Sequence, residues 1–399
     1  MRSLLADRDA RLLLVGQSLS QFGDRAMYLA LSVWVKTLTG SNADAGLVFF
    51  VLAAPGLLAP VFGLAVDRMR KRPLMIATDV VIGLVVLTLL FVHDRGDVWI
   101  IYAVTLVYGA SGYLFFSAQS ALLTRMLPAD LLPDANAALQ TMSEGTRLVA
   151  PLVGAGLFAA FGGAAVAVLD AATFAASALC LAAVSLREER PIPSEHHILV
   201  QVAAGARHIL HTPGLRRIVT VTGLAMLVVG FAETIIFAVL QFGLHRPPAF
   251  FGVLSTAQGV GAIAGALTAA AALRRIGDGR TLGVGILLFA IGDGLLLIPV
   301  LAPVLVGFLI AGAGISWAIV AFGTAVQLRT PFDLQGRVYS AADMLVGVPQ
   351  TLSIGLGAAL IAVVDYRVLI VVMGVAAGAC GVFMAAAGAP ADAVAQPPP

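Results

Sequence analysis

The sequence predicts an all-α membrane protein whose twelve transmembrane helices form two six-helix halves. Of the 399 residues, 60% are hydrophobic and only 12% are charged, and the mean hydropathy is +0.98. Soluble globular proteins carry about 25% charged residues, so a lipid bilayer is the expected solvent of most of this chain. Two further observations complete the prediction. Twelve apolar stretches have the length that a membrane helix needs, about 20 residues, and a motif pattern recurs in both halves.

The twelve predicted spans form two sets of six, separated by one polar break. Spans 1 to 6 cover residues 11–38, 45–66, 74–93, 98–121, 137–161 and 164–186. Spans 7 to 12 cover residues 217–242, 249–273, 281–301, 303–327, 338–363 and 366–388. We therefore predict an N-terminal half, a cytoplasmic linker with an amphipathic helix, a C-terminal half and a disordered tail, at residues 1–186, 187–216, 217–388 and 389–399.

Basic residues predict the orientation of the chain. The stretch GLAVDRMRKRP, residues 63–73, places four basic residues at the end of span 2, which itself contains no charge. Lys and Arg accumulate in cytoplasmic loops near the ends of spans. With this stretch inside, alternation of the spans puts eighteen basic residues inside and only four outside, namely Lys36, Arg95, Arg246 and Arg367. We therefore expect a multi-pass protein with both termini in the cytoplasm. A chain rich in Ala, Gly and Arg is typical of a GC-rich bacterial genome, so the expected location is the bacterial inner (cytoplasmic) membrane.

The two halves resemble each other in one register. RMLPADL (125–131) follows span 4, and RTPFDL (329–334) follows span 10. Their Pro and Asp residues correspond at an offset of 203 residues, and the basic pair after span 2 corresponds to the basic pair after span 8 at the same offset. Because each half has six spans, both halves enter the membrane from the same side. This predicts a parallel repeat about an axis along the membrane normal.

The polar break contains one stretch with helical periodicity. HHILVQVAAGARHILH (196–211) carries apolar residues at roughly helical spacing, which predicts a surface helix lying along the membrane interface. Its histidines have no carboxylate cluster nearby, so they favour a solvated linker over a metal site.

The sequence lacks the signatures of disulfides, metal sites, nucleotide binding and catalysis. Cys180 and Cys380 lie in apolar runs without a CxxC or CxxH neighbour, which argues against a disulfide or a metal site and favours small buried side chains. The sequence contains no P-loop and no dinucleotide-binding glycine pattern, and no constellation of catalytic residues. We expect no cofactor, no metal, no enzyme activity and no nucleic-acid partner.

GLAVDRMRKRP also resembles the loop 2–3 signature of the major facilitator superfamily, which has a glycine, three residues, Asp-Arg and a basic run. GQSLSQFGDRAMYLAL in span 1, NAALQTMSEGTRLVAPLVGAGL in span 5 and LQGRVYSAADML entering span 11 resemble one drug-exporter branch of that family. The branch includes macrolide-efflux and enterobactin-exporter proteins. The resemblance covers essentially the whole chain. It implies the major facilitator fold, in which the first span of each half lines a central cavity, and a secondary transporter of the drug:proton antiporter kind.

Three positions depart from the family pattern. Arg70 stands where the loop signature often has Gly or Asp, and Ala150 stands before Pro151 where glycine is usual. Span 4 lacks the arginine that many drug antiporters carry there. These departures weaken the expectation of a standard drug:proton relay.

Ionisable residues inside a bilayer are costly and are therefore functional candidates. In this sequence they are Asp24, Arg25, Glu144, Arg147, Asp170, Glu233 and Asp293. Asp24 and Glu233 are the first choice, because each lies in the first span of its half. Asp24 lies 13 residues past Arg11, about 20 Å along a helix, and Glu233 lies at comparable depth. A carboxyl group there can bind a proton or a cationic substrate, but not easily both, which is the simplest chemistry for antiport. The alternative is a pair of satisfied polar groups without a transport role.

Two further assignments concern spans 5 and 9. Glu144 and Arg147 are three residues apart and share one helix face, so we predict an intramembrane pair with a structural or gating role rather than substrate binding. Asp293 lies in a GDG stretch of span 9, where we expect a packing or interfacial role.

The loop 2–3 signature implies a gate. Its members here are Gly63, Asp67, Arg68 and Arg72, with Arg337 at the start of span 11. Gly63 lets span 2 approach another helix closely, and Asp67 is then expected near the start of span 11, where the helix dipole favours a carboxylate. In the family, this contact holds the cytoplasmic side shut.

The predicted function is secondary export, driven by proton entry, of hydrophobic or amphiphilic small molecules such as antibiotics. Two alternatives use similar machinery: translocation of a lysophospholipid or other lipid, and dedicated export of a siderophore or secondary metabolite. The expected partners are a small-molecule substrate, protons and membrane lipid, and the expected state is a monomer, which is usual for this fold.

Overall fold

The computed structural model describes residues 7–58, 61–62, 66, 68–126, 132–186, 198–331 and 334–387. Within these ranges the regular structure is helical, without a strand. Gly63, Asp67 and the predicted tail lie outside the described residues, and so does most of the polar break before Ile198.

Six predicted spans coincide with the first helices of the chain. These are α1 (Arg8–Thr39), α2 (Asn42–Ala53), α3 (Lys71–Leu87), α4 (Val98–Met126), α5 (Leu132–Phe161) and α6 (Gly163–Ala183). A 3-10 turn, Ala54–Leu58, continues α2, and another, Thr88–Phe91, continues α3. The helices begin and end within a few residues of the predicted bounds, except that the end of span 2 lies partly outside the described ranges.

The remaining helices match the linker helix and spans 7 to 12. They are α7 (Ile198–His211), α8 (Pro213–Val229), α9 (Phe231–Ala238), α10 (Phe251–Ile276), α11 (Asp278–Gly294), α12 (Leu301–Leu328), α13 (Gln335–Leu360) and α14 (Tyr366–Ala387). Span 7 consists of α8, α9 and a π-helical turn, Val239–Gly243.

Nine helical segments in the described ranges are long and apolar enough to cross a membrane. The other three predicted spans do not meet these criteria over the residues that the structure describes. Span 2 keeps an apolar helix over Asn42–Leu58, and span 5 keeps one over Gly145–Phe161. Span 1 is polar because α1 carries Gln17, Gln21 and the Asp24-Arg25 pair.

The chain folds as two compact units, one of residues 1–195 and 248–256 and the other of residues 196–247 and 257–399. In the first unit α1 packs against α5 and α6, and α3 packs against α4 and α6. In the second unit α8 packs against α13 and α14, and α11 packs against α12 and α14. The same pairs of spans are therefore in contact in both units, as the sequence repeat predicts.

Small residues allow close helix contacts in the second unit. A Cβ added at Gly292 on α11 would lie 2.5 Å from the carbonyl oxygen of Gly307 on α12. Side chains larger than hydrogen would force these two backbones apart. Membrane helices commonly pack through such small residues, because lipid gives no hydrophobic driving force between helices.

The predicted linker helix is present as α7, and its apolar side packs on the second unit. Ile209 is buried together with Leu215, Val219 and Val338. Gly205 lies directly against the carbonyl group of Arg337, at the start of α13. Packing against α8 and α13 accounts for part of this apolar periodicity, and a position on the membrane surface stays a prediction.

Candidate functional site

A polar cavity of about 390 Å³ lies within the first unit. Its charged lining residues are Asp24 and Arg25 from α1 and Asp79 from α3. Amide side chains of Gln17, Gln21 and Gln119 add further polar surface, whereas Ile82, Phe115, Phe116 and Phe174 form an apolar wall. The cavity thus combines charged groups with aromatic surface inside a membrane protein.

Asp24 is part of a hydrogen-bonded cluster with two residues from other helices. Tyr108 on α4 donates a hydrogen bond to Asp24 Oδ1, with 2.5 Å between the oxygens. The same Tyr108 oxygen lies 3.2 Å from Asp170 Oδ2, on α6. Asp170 is fully buried, and the side chain of Tyr108 is nearly so. Asp24 is thus bonded to a neighbouring helix, and whether it has a transport role stays a prediction.

The cluster depends on a close approach of α1 and α6. A Cβ added at Gly23 would collide with Thr173 Oγ1 and Asp170 Oδ1. Thr173 also donates a 2.7 Å hydrogen bond to the carbonyl oxygen of Asp170. The ring of Tyr108 meets that of Phe174 edge to face, with 5.9 Å between centroids, and this contact orients the phenol. Glycine at position 23 is what allows α1 and α6 to come this close at Asp170.

The proton count of this cluster has a chemical consequence. A tyrosine hydroxyl carries one hydrogen and can donate it to only one of the two carboxyl oxygens that it faces. If both carboxyl groups were ionised, two negative charges would share a buried site with one donated hydrogen. Burying such a pair is costly, and a proton on one of the two carboxyl groups removes the repulsion and supplies a second donor. The cluster can therefore hold a proton on one of its two carboxyl groups.

Asp79 is a third buried carboxyl group at the same cavity, and sequence reasoning missed it. It is 1% exposed, and within the described ranges neither of its carboxyl oxygens makes a hydrogen bond of ordinary geometry. Ser177 on α6 and Asp24 are close enough to interact with it. A complete inventory of ionisable residues in span 3 would have included Asp79, since it lies five residues inside the predicted start of that span.

The structure shows a hydrogen-bond partner for Arg25. The Glu144–Arg147 pair stays a prediction. Arg25 Nη2 donates a 2.7 Å hydrogen bond to Ser143 Oγ on α5. Arg147 is half-buried on the same helix. The side chain of Glu144 lies outside the part of the chain that the structure describes.

In the second unit, Glu233 and Asp293 lie near each other. Glu233 on α9 is half-buried. Asp293 on α11 is 6% exposed, and the two carboxyl groups are close enough for their charges to interact. A packing or interfacial role was expected for Asp293, and the structure also places its carboxyl group within electrostatic reach of Glu233.

Of the gating signature, Arg68 lies just before α3, Arg72 lies in its first turn, and Arg337 lies at the start of α13. The guanidinium of Arg72 donates hydrogen bonds to the carbonyl oxygens of Leu181, at 2.8 Å, and Ala182, at 2.6 Å. Arg72 therefore caps the C-terminal end of α6, where a cation is favoured by the helix dipole. Arg68 and Arg337 are exposed. The gating contact of Asp67 stays a prediction.

The second unit contains an ion pair that sequence reasoning did not single out. Asp278, in the first turn of α11, pairs with Arg329, directly after α12. Arg329 Nη2 donates a second hydrogen bond to Asp278 Oδ1, at 3.1 Å. His208 Nε2 lies 3.1 Å from the carbonyl oxygen of Arg329. This group of contacts ties α7, α11 and α12 together at one end of the unit.

Comparison with known proteins decides the family. A sequence model of the Major Facilitator Superfamily matches residues 13–245 and, again, residues 218–398. The chain belongs to the Major Facilitator Superfamily. The predicted fold class is thereby confirmed, and the protein is a membrane transporter.

Individual relatives of this Major Facilitator Superfamily protein include exporters. A candidate bacilysin exporter, BacE, of Bacillus subtilis is 25% identical over 384 residues, covering 90% of each chain. The multidrug efflux pump Tap of Mycolicibacterium fortuitum is 26% identical over 329 residues, covering 77% of this chain and 78% of Tap. The crystal structure of a bacterial homologue of the iron transporter ferroportin, in an inward-facing state, superposes with a TM-score of 0.73 at 16% identity, over 94% of this chain and 98% of that chain. The last likeness concerns the fold alone.

Proposed function

We propose that this protein is a proton-coupled exporter of amphiphilic small molecules in the bacterial inner membrane, with both termini in the cytoplasm. The relatives described as a multidrug efflux pump and a candidate bacilysin exporter support export. The distribution of Lys and Arg supports the orientation. The observation that carries proton coupling is the hydroxyl of Tyr108, which lies between the carboxyl groups of Asp24 and Asp170 at the cavity.

The coupling step is competition for one carboxylate. A proton on the Asp24–Asp170 pair removes one negative charge from the cavity wall. A cationic group of the substrate, placed against Asp24, supplies the compensating positive charge instead, and the proton then leaves. Binding of proton and substrate is thus mutually exclusive, which is the thermodynamic requirement for antiport, since each ligand weakens the other by the same factor.

Asp79 offers the exchanged proton a position nearer the cytoplasm. It lies eight residues past Lys71, about 12 Å along α3 from its predicted cytoplasmic end, whereas Asp24 lies about 20 Å from Arg11 along α1. A buried carboxyl group without an ordinary hydrogen bond can accept a proton and pass it on. In the second unit, Glu233 and Asp293 supply a corresponding carboxyl pair, and Glu233 is the second candidate for coupling.

The lining of the cavity favours amphiphilic compounds over purely apolar ones. Phe115, Phe116 and Phe174 offer aromatic surface, and the three glutamines offer both donors and acceptors. Arg25 also lies at the cavity, so a substrate with an acceptor or acidic group near its cationic group fits the lining.

Asp67 and Arg337 are the proposed cytoplasmic gate, and a monomer is the proposed working state.

The test is accumulation of labelled compounds in everted membrane vesicles that hold the full-length protein. Macrolides, tetracyclines, cationic dyes and siderophores are each added with an acid-inside gradient, and again after a protonophore has collapsed it. Gradient-dependent accumulation of one class, reduced in Glu233→Gln or Asp24→Asn, supports the proposal and names the substrate class. Accumulation of none of these compounds, together with movement of lysophospholipid between leaflets, would replace it with lipid translocation.

A further inference from the structure

A second cavity, of about 700 Å³, lies in the second unit between α8 and α14. It is separate from the polar cavity of the first unit, and the proposed transport chemistry does not use it. Its lining includes Arg216, Arg217, Thr220, Leu224, Cys380 and Phe383. The two arginines lie in the first turns of α8, at the end of span 7 that is predicted to face the cytoplasm.

The lining changes from charged to apolar along the helix axis. Leu224 lies seven residues past Arg217 on α8, about 10 Å deeper into the membrane. On α14, Phe383 lies beside the charged end, with the guanidinium of Arg217 5.7 Å from the centre of its ring. A charged mouth above an apolar groove matches a molecule with an anionic head and a hydrocarbon tail.

The groove faces outward from its unit. Leu224 is 52% exposed and Phe383 is 51% exposed, so in a bilayer these side chains meet lipid. Arg216 is also exposed, and among the described residues its side chain donates one long hydrogen bond, 3.3 Å, to the carbonyl oxygen of Leu210. A guanidinium carries five N–H donors, so Arg216 retains the capacity to bind an anion.

The position of the arginines on α8 strengthens the case for an anion. Cations in the first turn of a helix are disfavoured by its dipole, and here two adjacent arginines occupy that region. Anionic lipids of the cytoplasmic leaflet attract basic residues next to a membrane helix. A phosphate bound here offsets the positive charge of both arginines and of the helix N-terminus.

We propose that this groove binds an anionic phospholipid of the cytoplasmic leaflet. The lipid phosphate contacts Arg216 and Arg217, and one acyl chain lies along Leu224 and Phe383. Because α8 packs against both α13 and α14, the bound lipid stabilises the packing of the second unit. This proposal does not depend on which compound the protein exports.

The experiment is native mass spectrometry of the full-length protein, purified in detergent and titrated with phosphatidylglycerol or phosphatidylcholine. The wild type is expected to retain phosphatidylglycerol in preference to phosphatidylcholine. The variant Arg216→Gln/Arg217→Gln is expected to bind phosphatidylglycerol about thirtyfold more weakly, given the typical contribution of two basic residues at an anionic surface. The matched control is Arg274→Gln/Arg275→Gln, which removes an exposed pair of adjacent arginines at the end of α10 and is expected to leave binding unchanged.

A second variant keeps the charges and fills the groove. Leu224→Trp is expected to reduce retention of phosphatidylglycerol, whereas Leu267→Trp, at a site that is 80% exposed on α10, is expected to leave it unchanged. Equal retention in the Arg216/Arg217 and Arg274/Arg275 variants would overturn the proposal. Full competition by inorganic phosphate, with no effect of Leu224→Trp, would overturn it as well, since the site would then recognise phosphate without lipid.

Discussion

Tyr108 on α4 donates a 2.5 Å hydrogen bond to Asp24 on α1, within a cavity that also contains Asp79. Because the same hydroxyl faces Asp170 at 3.2 Å, three helices contribute to one hydrogen-bonded cluster. In the proposed mechanism, this cluster links proton binding to the occupancy of the cavity.

Asp24→Asn keeps the size of the side chain but removes the group that exchanges a proton for a cation. In the wild type, the Kd of a transported cation should weaken between pH 8 and pH 5.5 by a factor in the range of about 5–150, the usual range of coupling between two sites. In Asp24→Asn that dependence should disappear. Tryptophan fluorescence titration of the purified protein measures it. Asp94→Asn, in an exposed loop, is the matched control and should behave like the wild type.

Tyr108→Phe removes the hydroxyl that bridges the two carboxyl groups. A buried acceptor then loses its donor, at a cost of about 1–3 kcal/mol in the free energy of unfolding. The pH dependence of substrate binding should shift, because Asp24 and Asp170 no longer share a donor. Unfolding in detergent and the same titration check both effects. Tyr339→Phe, at a site that is 49% exposed, should change neither, and an unchanged Tyr108→Phe would contradict the bridging role.

Asp79→Asn tests the route of the proton rather than substrate affinity. The variant should bind substrate with nearly unchanged Kd but should transport it more slowly, since Asp79 lies between the cluster and the predicted cytoplasmic end. Stopped-flow measurement of vesicle acidification separates rate from affinity. A normal transport rate in Asp79→Asn would remove this residue from the route.

Gly23→Ala tests the close approach of α1 and α6. The added methyl group would collide with Thr173 and Asp170, and overpacking of this kind costs about 1–3 kcal/mol. We expect a lower unfolding temperature and loss of transport. Gly156→Ala is the control, because a Cβ at that position on α5 meets open space. Equal stability of the two variants would show that the contact between α1 and α6 can relax.

The Asp278–Arg329 pair should be coupled energetically. Its side chains are 14% and 11% exposed, so removing either charge alone should cost roughly 1–3 kcal/mol, below the cost of breaking a fully buried pair. The double variant Asp278→Asn/Arg329→Gln should be destabilised by less than the sum of the single variants. Additive losses in a double-mutant cycle would show that the pair contributes no net interaction.

The fold was predictable because the bilayer restricts what a chain can do. Every backbone polar group inside lipid must be bonded within the protein, so long apolar stretches become helices, and their bounds follow from hydropathy. α7 was predictable as a helix, but its surroundings were not. The periodicity around Ile209 indicates one apolar face and does not say whether lipid or α13 covers it.

The candidate site was predictable in part. Asp24 stood out because a carboxyl group in an apolar span is rare. Its partner Tyr108 did not stand out. Tyr108 is 84 residues away from Asp24 along the chain, and an aromatic residue in a membrane helix does not by itself indicate a function. Spacing within one helix cannot identify contacts between helices. The contacts of Arg72 with the end of α6 could not be predicted for the same reason, because these contacts depend on tertiary packing alone.

The most direct test of the account is proton movement in everted vesicles with an acid-inside gradient, driven by a compound that the wild type transports. We predict that the compound collapses the gradient with the wild type and with Asp94→Asn, and that Asp24→Asn, inserted at the same level, gives no collapse. A collapse of equal rate and extent in Asp24→Asn would contradict the assignment of the exchanged proton to the Asp24–Tyr108–Asp170 cluster.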